Sequence, residues 1–318
     1  MKKFLLKILI VLASVLVLFC ALAAFDVFVV GGMFKYNYQA SVVDKLERLE
    51  TVTGPKIILV GHSNVSFGFD SERLEEAMGM PVVNLGVHGS LGNTFHEDLA
   101  RQNIGEGDIV VVCHTDFADD GKIGDYPLAW ITVDNNAKIA KIIRPTDYAG
   151  MAASYPDYLC NSLFNWVTGR GNRDYEDSCY SRTAFNKYGD IERRPAVLAV
   201  TEDFFKDANV TVPGISEECI KGFNEFCDFV RSKGAEVVIA GYPVAYGKYS
   251  EFTEEDFNKF EEKLKAAASC DVISHYADYF YPYSYFYNTA LHLTKEGAEV
   301  RTDQLASDLK AWQNAKQS

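Results

Sequence analysis

Apolar residues fill the chain from Ile8 to Phe25 without a charged position, and after Asp26 the run resumes from Val27 to Val30. A stretch of this length spans a bilayer as one helix. Lys2, Lys3 and Lys7 precede it, which predicts a cytoplasmic N-terminus and an extracytoplasmic remainder. Ala21-Leu22-Ala23 resembles a leader-cleavage site, but the run is long for a cleaved leader, so the expectation is an uncleaved anchor over residues 1–30. Phe19 stands where a lipidation motif needs a small residue before Cys20, which argues against a lipoprotein.

Val42, Val43, Leu46 and Leu49 recur at helical spacing and predict a juxtamembrane helix within 31–54. From residue 55 the pattern changes to short, almost continuously apolar runs. They are Lys56-Ile-Ile-Leu-Val-Gly61, Pro81-Val-Val-Asn-Leu-Gly86, Asp108-Ile-Val-Val-Val-Cys113, Glu236-Val-Val-Ile-Ala-Gly241 and the weaker Asp271-Val-Ile-Ser274. Runs of this kind are strands buried on both faces, as in a parallel sheet. Amphipathic helical patterns fall between or after them, over 71–78, 94–103, 215–232, 253–268 and 295–315. Alternating strands and helices predict a three-layer α/β/α sandwich over residues 55–318. Residues 117–213 exceed one crossover helix and are rich in Tyr, Trp, Asn, Asp and Arg. They predict an insertion over the sheet edge, either a substrate-shaping lid or a packed decoration.

Composition narrows the function. The 318 residues are 48% hydrophobic and 24% charged, with a net charge of -13. That charge argues against a nucleic-acid partner, whose phosphates it would repel. Of seven cysteines, Cys20 lies in the apolar N-terminal run. Outside the cytoplasm the other six can pair, with Cys160–Cys179 and Cys219–Cys227 the sequence-near candidates. Cys113 sits inside an apolar run and reads as a small buried hydrophobe.

Candidate chemistry clusters where strands end. Gly61-His62-Ser63-Asn64 follows the first strand and leads towards a helix, whose N-terminus offers backbone N–H groups. The second strand ends in Asn84-Leu-Gly86-Val-His88-Gly89, where glycine lets backbone approach a reacting carbonyl. Asn288-Thr-Ala-Leu-His292 lies just before the last helix, which Thr294 caps.

In order and spacing these elements resemble the SGNH (GDSL-type) hydrolase superfamily, across roughly residues 55–116 and 235–315. The resemblance implies a flavodoxin-like sandwich with a mostly parallel sheet. It also implies Ser63 as nucleophile, His292 as general base, and Gly89 with the Ser63 backbone as oxyanion donors. Asn64 falls in the same substrate shell. No cofactor is implied.

Two positions depart from the family. Its oxyanion asparagine after the third strand is replaced here by Cys113-His114-Thr115-Asp116, so His114 becomes a candidate donor. Its acid before the histidine is replaced by Asn288, with Asp278 much further back. An amide orients an imidazole but does not stabilise imidazolium as a carboxylate does. His62, His88 and His114 each follow a strand, so with His292 they are expected at one sheet edge. A metal site there lacks supporting carboxylate spacing, and His62 and His88 read as polar pocket residues.

The expectation is an extracytoplasmic serine esterase or O-acyltransferase acting on an acylated cell-envelope polysaccharide. The alternative is a catalytically degenerate module that binds a glycan or an envelope-assembly partner. A nucleotide-binding domain is disfavoured, because the first loop has neither GxGxxG nor a Walker lysine.

Overall fold

The computed structural model describes residues 1–118, 121–171 and 173–317; residues 119, 120 and 172 of the expected insertion lie outside that set. In chain order the helices are α1 (Lys2–Phe25), α2 (Ser41–Thr51), α3 (Ser63–Ser66), α4 (Ser71–Met78), α5 (Asn93–Ala100), α6 (Tyr126–Asn135), α7 (Tyr148–Thr168), α8 (Glu217–Ser232), α9 (Glu254–Ala267) and α10 (Lys295–Gln317). The strands are β1 (Ile57–Val60), β2 (Val82–Asn84), β3 (Ile109–Val112), β4 (Glu236–Ile239), β5 (Val244–Ala245), β6 (Asp271–Val272) and β7 (Phe280–Tyr281).

β2, β1, β3, β4 and β6 lie side by side in that order, every pair parallel. Strands rich in Val and Ile suit a sheet covered on both faces, and two apolar clusters cover this one. Ile58, Val60, Val110, Val112 and Ile239 point into a cluster with α2, α5, α8 and α9. Ile57, Leu59, Ile109, Val111 and Val238 point into a second cluster with α4 and α10. Alternation along each strand therefore feeds two cores. The fold is a mixed α/β domain on a parallel sheet, with an apolar helix at its N-terminus.

Side-chain caps fix the helix starts. Asp70 accepts from Arg73 N ahead of α4, and Ser216 from Cys219 N ahead of α8. Thr253 and Asp256 form a reciprocal capping box on α9. The juxtamembrane helix is shorter than expected: turns and the short Tyr38–Ala40 helix precede α2, which starts at Ser41, and Val52 turns extended after it. The sequence pattern did not distinguish β5 and β7, two-residue strands that pair with each other outside the main sheet.

The insertion carries α6 and α7, which pack on each other, and several short turns of helix. Asn84 N bonds Tyr188 O, and Lys45 Nζ donates to Asn84 O and Gly189 O, so the far end of the insertion closes over β2. The segment Lys2–Val30 is long and apolar enough to cross a membrane, and none of the α1 side chains is buried.

All seven cysteines are free. Cys219 and Cys227 stand eight residues apart on α8, about 12 Å along the axis, beyond the reach of a disulfide. Cys160 is exposed on α7 whereas Cys179 is buried beside Asn288. Cys227 instead lies beside Cys270, just ahead of β6. Sequence proximity misled here, because helix rise separates residues that the fold then pairs with distant ones.

Candidate active site

The sheet order places β1 between β2 and β3, so successive strands are added on opposite sides of β1 and the winding order reverses between β1 and β3. The crevice at the carboxyl ends of such a pair is where doubly wound sheets bind ligands. Ser63 follows β1 and His114 follows β3 at that edge.

Gly61 makes the turn after β1 possible by close approach. A Cβ there would stand 2.7 Å from Val65 Cγ2 and 3.1 Å from Cys113 O. The chain then enters α3 with Ser63 as its first residue, half-buried and accessible. His292 is presented by a tight loop ahead of α10. Tyr287 N bonds His292 O, Thr294 N bonds Tyr285 O, and Thr289 Oγ1 accepts from the backbone N–H groups of Leu291 and His292. Thr294 Oγ1 accepts from Gly297 N and caps α10.

These two loops meet. Ser63 Oγ lies 2.8 Å from His292 Nε2, and Asn288 Oδ1 lies 2.8 Å from His292 Nδ1. With Nδ1 protonated, the ring donates to Asn288 and accepts the Ser63 hydroxyl through Nε2, the tautomer a general base requires. Asn288 is held from its other side: Nδ2 donates to Tyr180 OH at 2.9 Å and to Cys179 Sγ at 3.7 Å. That contact fixes which end of the amide faces the imidazole. Phe67 stacks flat on the His292 ring, 4.0 Å between centroids and 4° between planes. Arg194 lies over Phe67 and donates to Phe67 O and Leu293 O, tying the α3 turn to the histidine loop.

Burial pushes the His292 imidazole down to about 3, with smaller like-signed contributions from His88 and Arg194. It is therefore neutral across the physiological range, ready to accept a proton, but among the described residues the group beside its Nδ1 is the Asn288 amide and not a carboxylate.

The other sequence candidates divide between this site and the interior. His88 is half-buried, with its Nδ1 accepting from Ser90 N, and burial disfavours its charged form. Gly89 packs on the His62 ring, where a Cβ would stand 3.5 Å from Nδ1. His62 Nε2 lies 2.6 Å from Asn93 Oδ1, and its Nδ1 faces Thr115 Oγ1 at 3.4 Å. Asn64 is fully buried; its amide nitrogen donates to Cys113 O and clamps the β1 turn to the end of β3. His114 is also buried, with Nε2 3.2 Å from Glu97 Oε1 and its ring edge-on to Phe117 and Phe223.

His62, His96 and His114 form one ring cluster, with centroids 4.9 to 6.5 Å apart. His96 was missed in the sequence because it lies on α5 rather than after a strand. Among the described residues, no group of three or more His, Cys, Asp or Glu is arranged to hold a metal.

Beside the histidine loop opens a cleft of about 630 Å³, lined by Thr115, Asp116, Val212, Tyr242, Thr289 and Leu291. Its walls come from the β3 end, from the insertion and from the loop that carries His292. Phe67, Tyr180 and Cys179 are the site residues that sequence reasoning passed over. Phe67 lies four residues past Ser63 with no pattern to mark it, and no local signal ties Tyr180 to Asn288 across 108 positions.

Glu97 gives a stability prediction. Burial pushes its carboxyl up to about 8, against the pull of Arg144 and Arg101. The folded state thus holds a proton that the unfolded chain loses near 4.5. This contribution is full below that value and fades as pH rises through about 8. Glu97→Gln is expected to remove that decline, flattening melting temperature between pH 5 and 8. A wild-type curve that already lacks the decline contradicts a protonated Glu97.

A scan against protein-family models finds none that matches, and a search of curated proteins returns no match.

Proposed function

We propose that this chain is a membrane-anchored SGNH-type serine esterase or O-acyltransferase whose nucleophile is Ser63. The observation that carries the reading is the Ser63–His292–Asn288 relay, with both links at 2.8 Å. Its place at the crevice of the β2-β1-β3-β4-β6 sheet adds support.

In this reading Ser63 Oγ attacks an ester carbonyl while His292 Nε2 takes its proton. The N–H groups of Ser63 and Gly89 would hold the developing oxyanion. The tetrahedral species collapses as His292 returns the proton to the departing alkoxide, leaving the acyl group on Ser63. Water or a sugar hydroxyl then attacks, with His292 again as base. The cleft beside Thr289 and Leu291 has polar and apolar walls and would receive the group that carries the ester. With the N-terminal lysines on the cytoplasmic side, the domain faces the cell envelope, and an O-acylated polysaccharide is the substrate class.

One observation favours a second reading. His292 has an amide where a serine hydrolase has a carboxylate, and its charged form is strongly disfavoured. A catalytically degenerate fold that binds a glycan or an envelope-assembly partner would tolerate both features.

Acetate release separates the two readings. The detergent-solubilised chain is expected to hydrolyse p-nitrophenyl acetate and to deacetylate an O-acetylated polysaccharide. Ser63→Ala or His292→Ala should each lower those rates by at least ~10²-fold. No release above the Ser63→Ala background, with retained binding to the polysaccharide, would favour the binding module.

A further inference from the structure

α7 is amphipathic in a way that the domain core does not explain. Met151, Tyr158 and Ser162 face inward and are buried. On the opposite side Ala149, Ala153, Pro156, Cys160, Phe164 and Val167 recur every three or four residues, all of them exposed. Phe164 is 56% exposed and Val167 76%. Asp157, Asn161 and Thr168 occupy the neighbouring flank, so the apolar stripe has a polar border on one side.

Its other border meets the apolar N-terminal helix. Tyr155 stands edge-on to Phe19 at 6.0 Å, and Trp166 edge-on to Phe25 at 5.2 Å. Ser162 Oγ donates to Asp26 Oδ1 at 2.6 Å. These contacts fix a depth. A hydrocarbon core of about 20 helical residues counted from Ile8 ends near Val27. Phe19 then lies inside the core and Asp26 at its edge, so a helix that touches both must itself enter the leaflet. Asp26, the acidic residue of the apolar run, receives the partner that a carboxyl at that depth requires.

We propose that α7 is a second membrane element, an amphipathic helix whose Ala149-to-Val167 stripe lies in the domain-side leaflet of the bilayer that Lys2–Val30 crosses. Trp166, beside Phe25, sits at the interface, where aromatic rings are favoured, and Tyr155 lies deeper, beside Phe19. Arg170 and Arg173, both exposed just past the helix, stand level with lipid phosphates. The arrangement anchors the domain at two places and fixes which face it turns to the membrane. The inference rests on Lys2–Val30 spanning a bilayer and not on the catalytic reading.

Site-directed spin labelling of the full chain tests it, in vesicles of phosphatidylcholine with a minority of phosphatidylglycerol. Labels go at Val167→Cys on the stripe, Asn161→Cys on the polar flank and Val15→Cys in the span. The background carries Cys20→Ala and Cys160→Ala, and no labelled side chain is buried within the protein, so the fold is retained. The expected result is that the Val15 and Val167 labels relax faster with oxygen than with a water-soluble nickel chelate, and that the Asn161 label does the reverse. Chelate access at Val167 equal to that at Asn161, with Val15 still protected, overturns the proposal. Dipolar coupling between Val167 labels of two chains, without oxygen access, would assign the stripe to a second copy and also overturn it. A chelate-accessible Val15 would overturn the span itself.

Discussion

Asn288→Asp is expected to raise ester turnover by ~10-fold or more, up to the roughly 10⁴-fold that the reverse change costs a Ser-His-Asp enzyme. His292 is buried, and its charged form is held down to about 3. Forming imidazolium during attack by Ser63 is therefore opposed by several kcal/mol. A carboxylate at 288 would accept from Nδ1–H and stabilise that cation directly. Tyr180 OH, now an acceptor from the Asn288 amide, can rotate to donate to the new carboxylate, so the substitution strands no polar group.

The pH profile carries a second signature of the same substitution. An anion beside His292 raises its pKa towards the ordinary imidazole value. The wild-type rate should not depend on protonation of the base between pH 5 and 8, because the ring is already neutral there. The variant should gain an acid limb, with its advantage over wild type largest above that limb and shrinking at pH 5. A variant with unchanged rate and profile would mean that catalysis does not run through His292.

Arg301→Ala is expected to cost about 3–5 kcal/mol of stability, the largest loss for any single side chain named here. Arg301 is fully buried on α10. Its Nη1 donates to Asn64 O at 2.6 Å and its Nη2 to Gly241 O at 3.1 Å, and its guanidinium stacks 4.1 Å over Phe69. Truncation opens a cavity and leaves two buried carbonyls without those donors. Relief of a buried cation offsets part of this, so the isosteric Arg301→Met should lose less.

The bond to Asn64 O holds the residue next to Ser63, so Arg301→Ala should also lower turnover at temperatures where the variant remains folded. Gly68 is part of the same device, since a Cβ there would stand 2.2 Å from both Arg301 Nη1 and Asn64 O. Thermal unfolding of the detergent-solubilised chain reads the first effect. An unchanged melting temperature would contradict the role given to Arg301.

Sequence patterning reached the sheet and the relay for one reason: both depend on local signals. Five apolar runs mark five strands because the central ones, β1 and β3, are buried along their whole length and carry only Val, Ile and Leu. Ser63, Asn288 and His292 were legible from their places after a strand and before a capped helix. What patterning missed depends on distant contacts. Cys227 meets Cys270 rather than Cys219, and Asn64 turns inward to Cys113 rather than to the crevice. His114 joins Glu97 in the interior through a residue on α5. Tyr180 reaches Asn288 only because the insertion folds back from α7 over the site. Residues 117–213 read equally as a lid or as packed decoration, and no sequence signal marked Tyr180 as the residue that reaches Asn288.

The most direct test of the account is labelling of the full chain by a fluorophosphonate probe, which reacts only with an activated serine. The account predicts covalent labelling of the wild type, none in Ser63→Ala, and faster labelling in Asn288→Asp. Absence of labelling in both wild type and Asn288→Asp would contradict it, leaving the Ser63–His292 contact as geometry without reactivity.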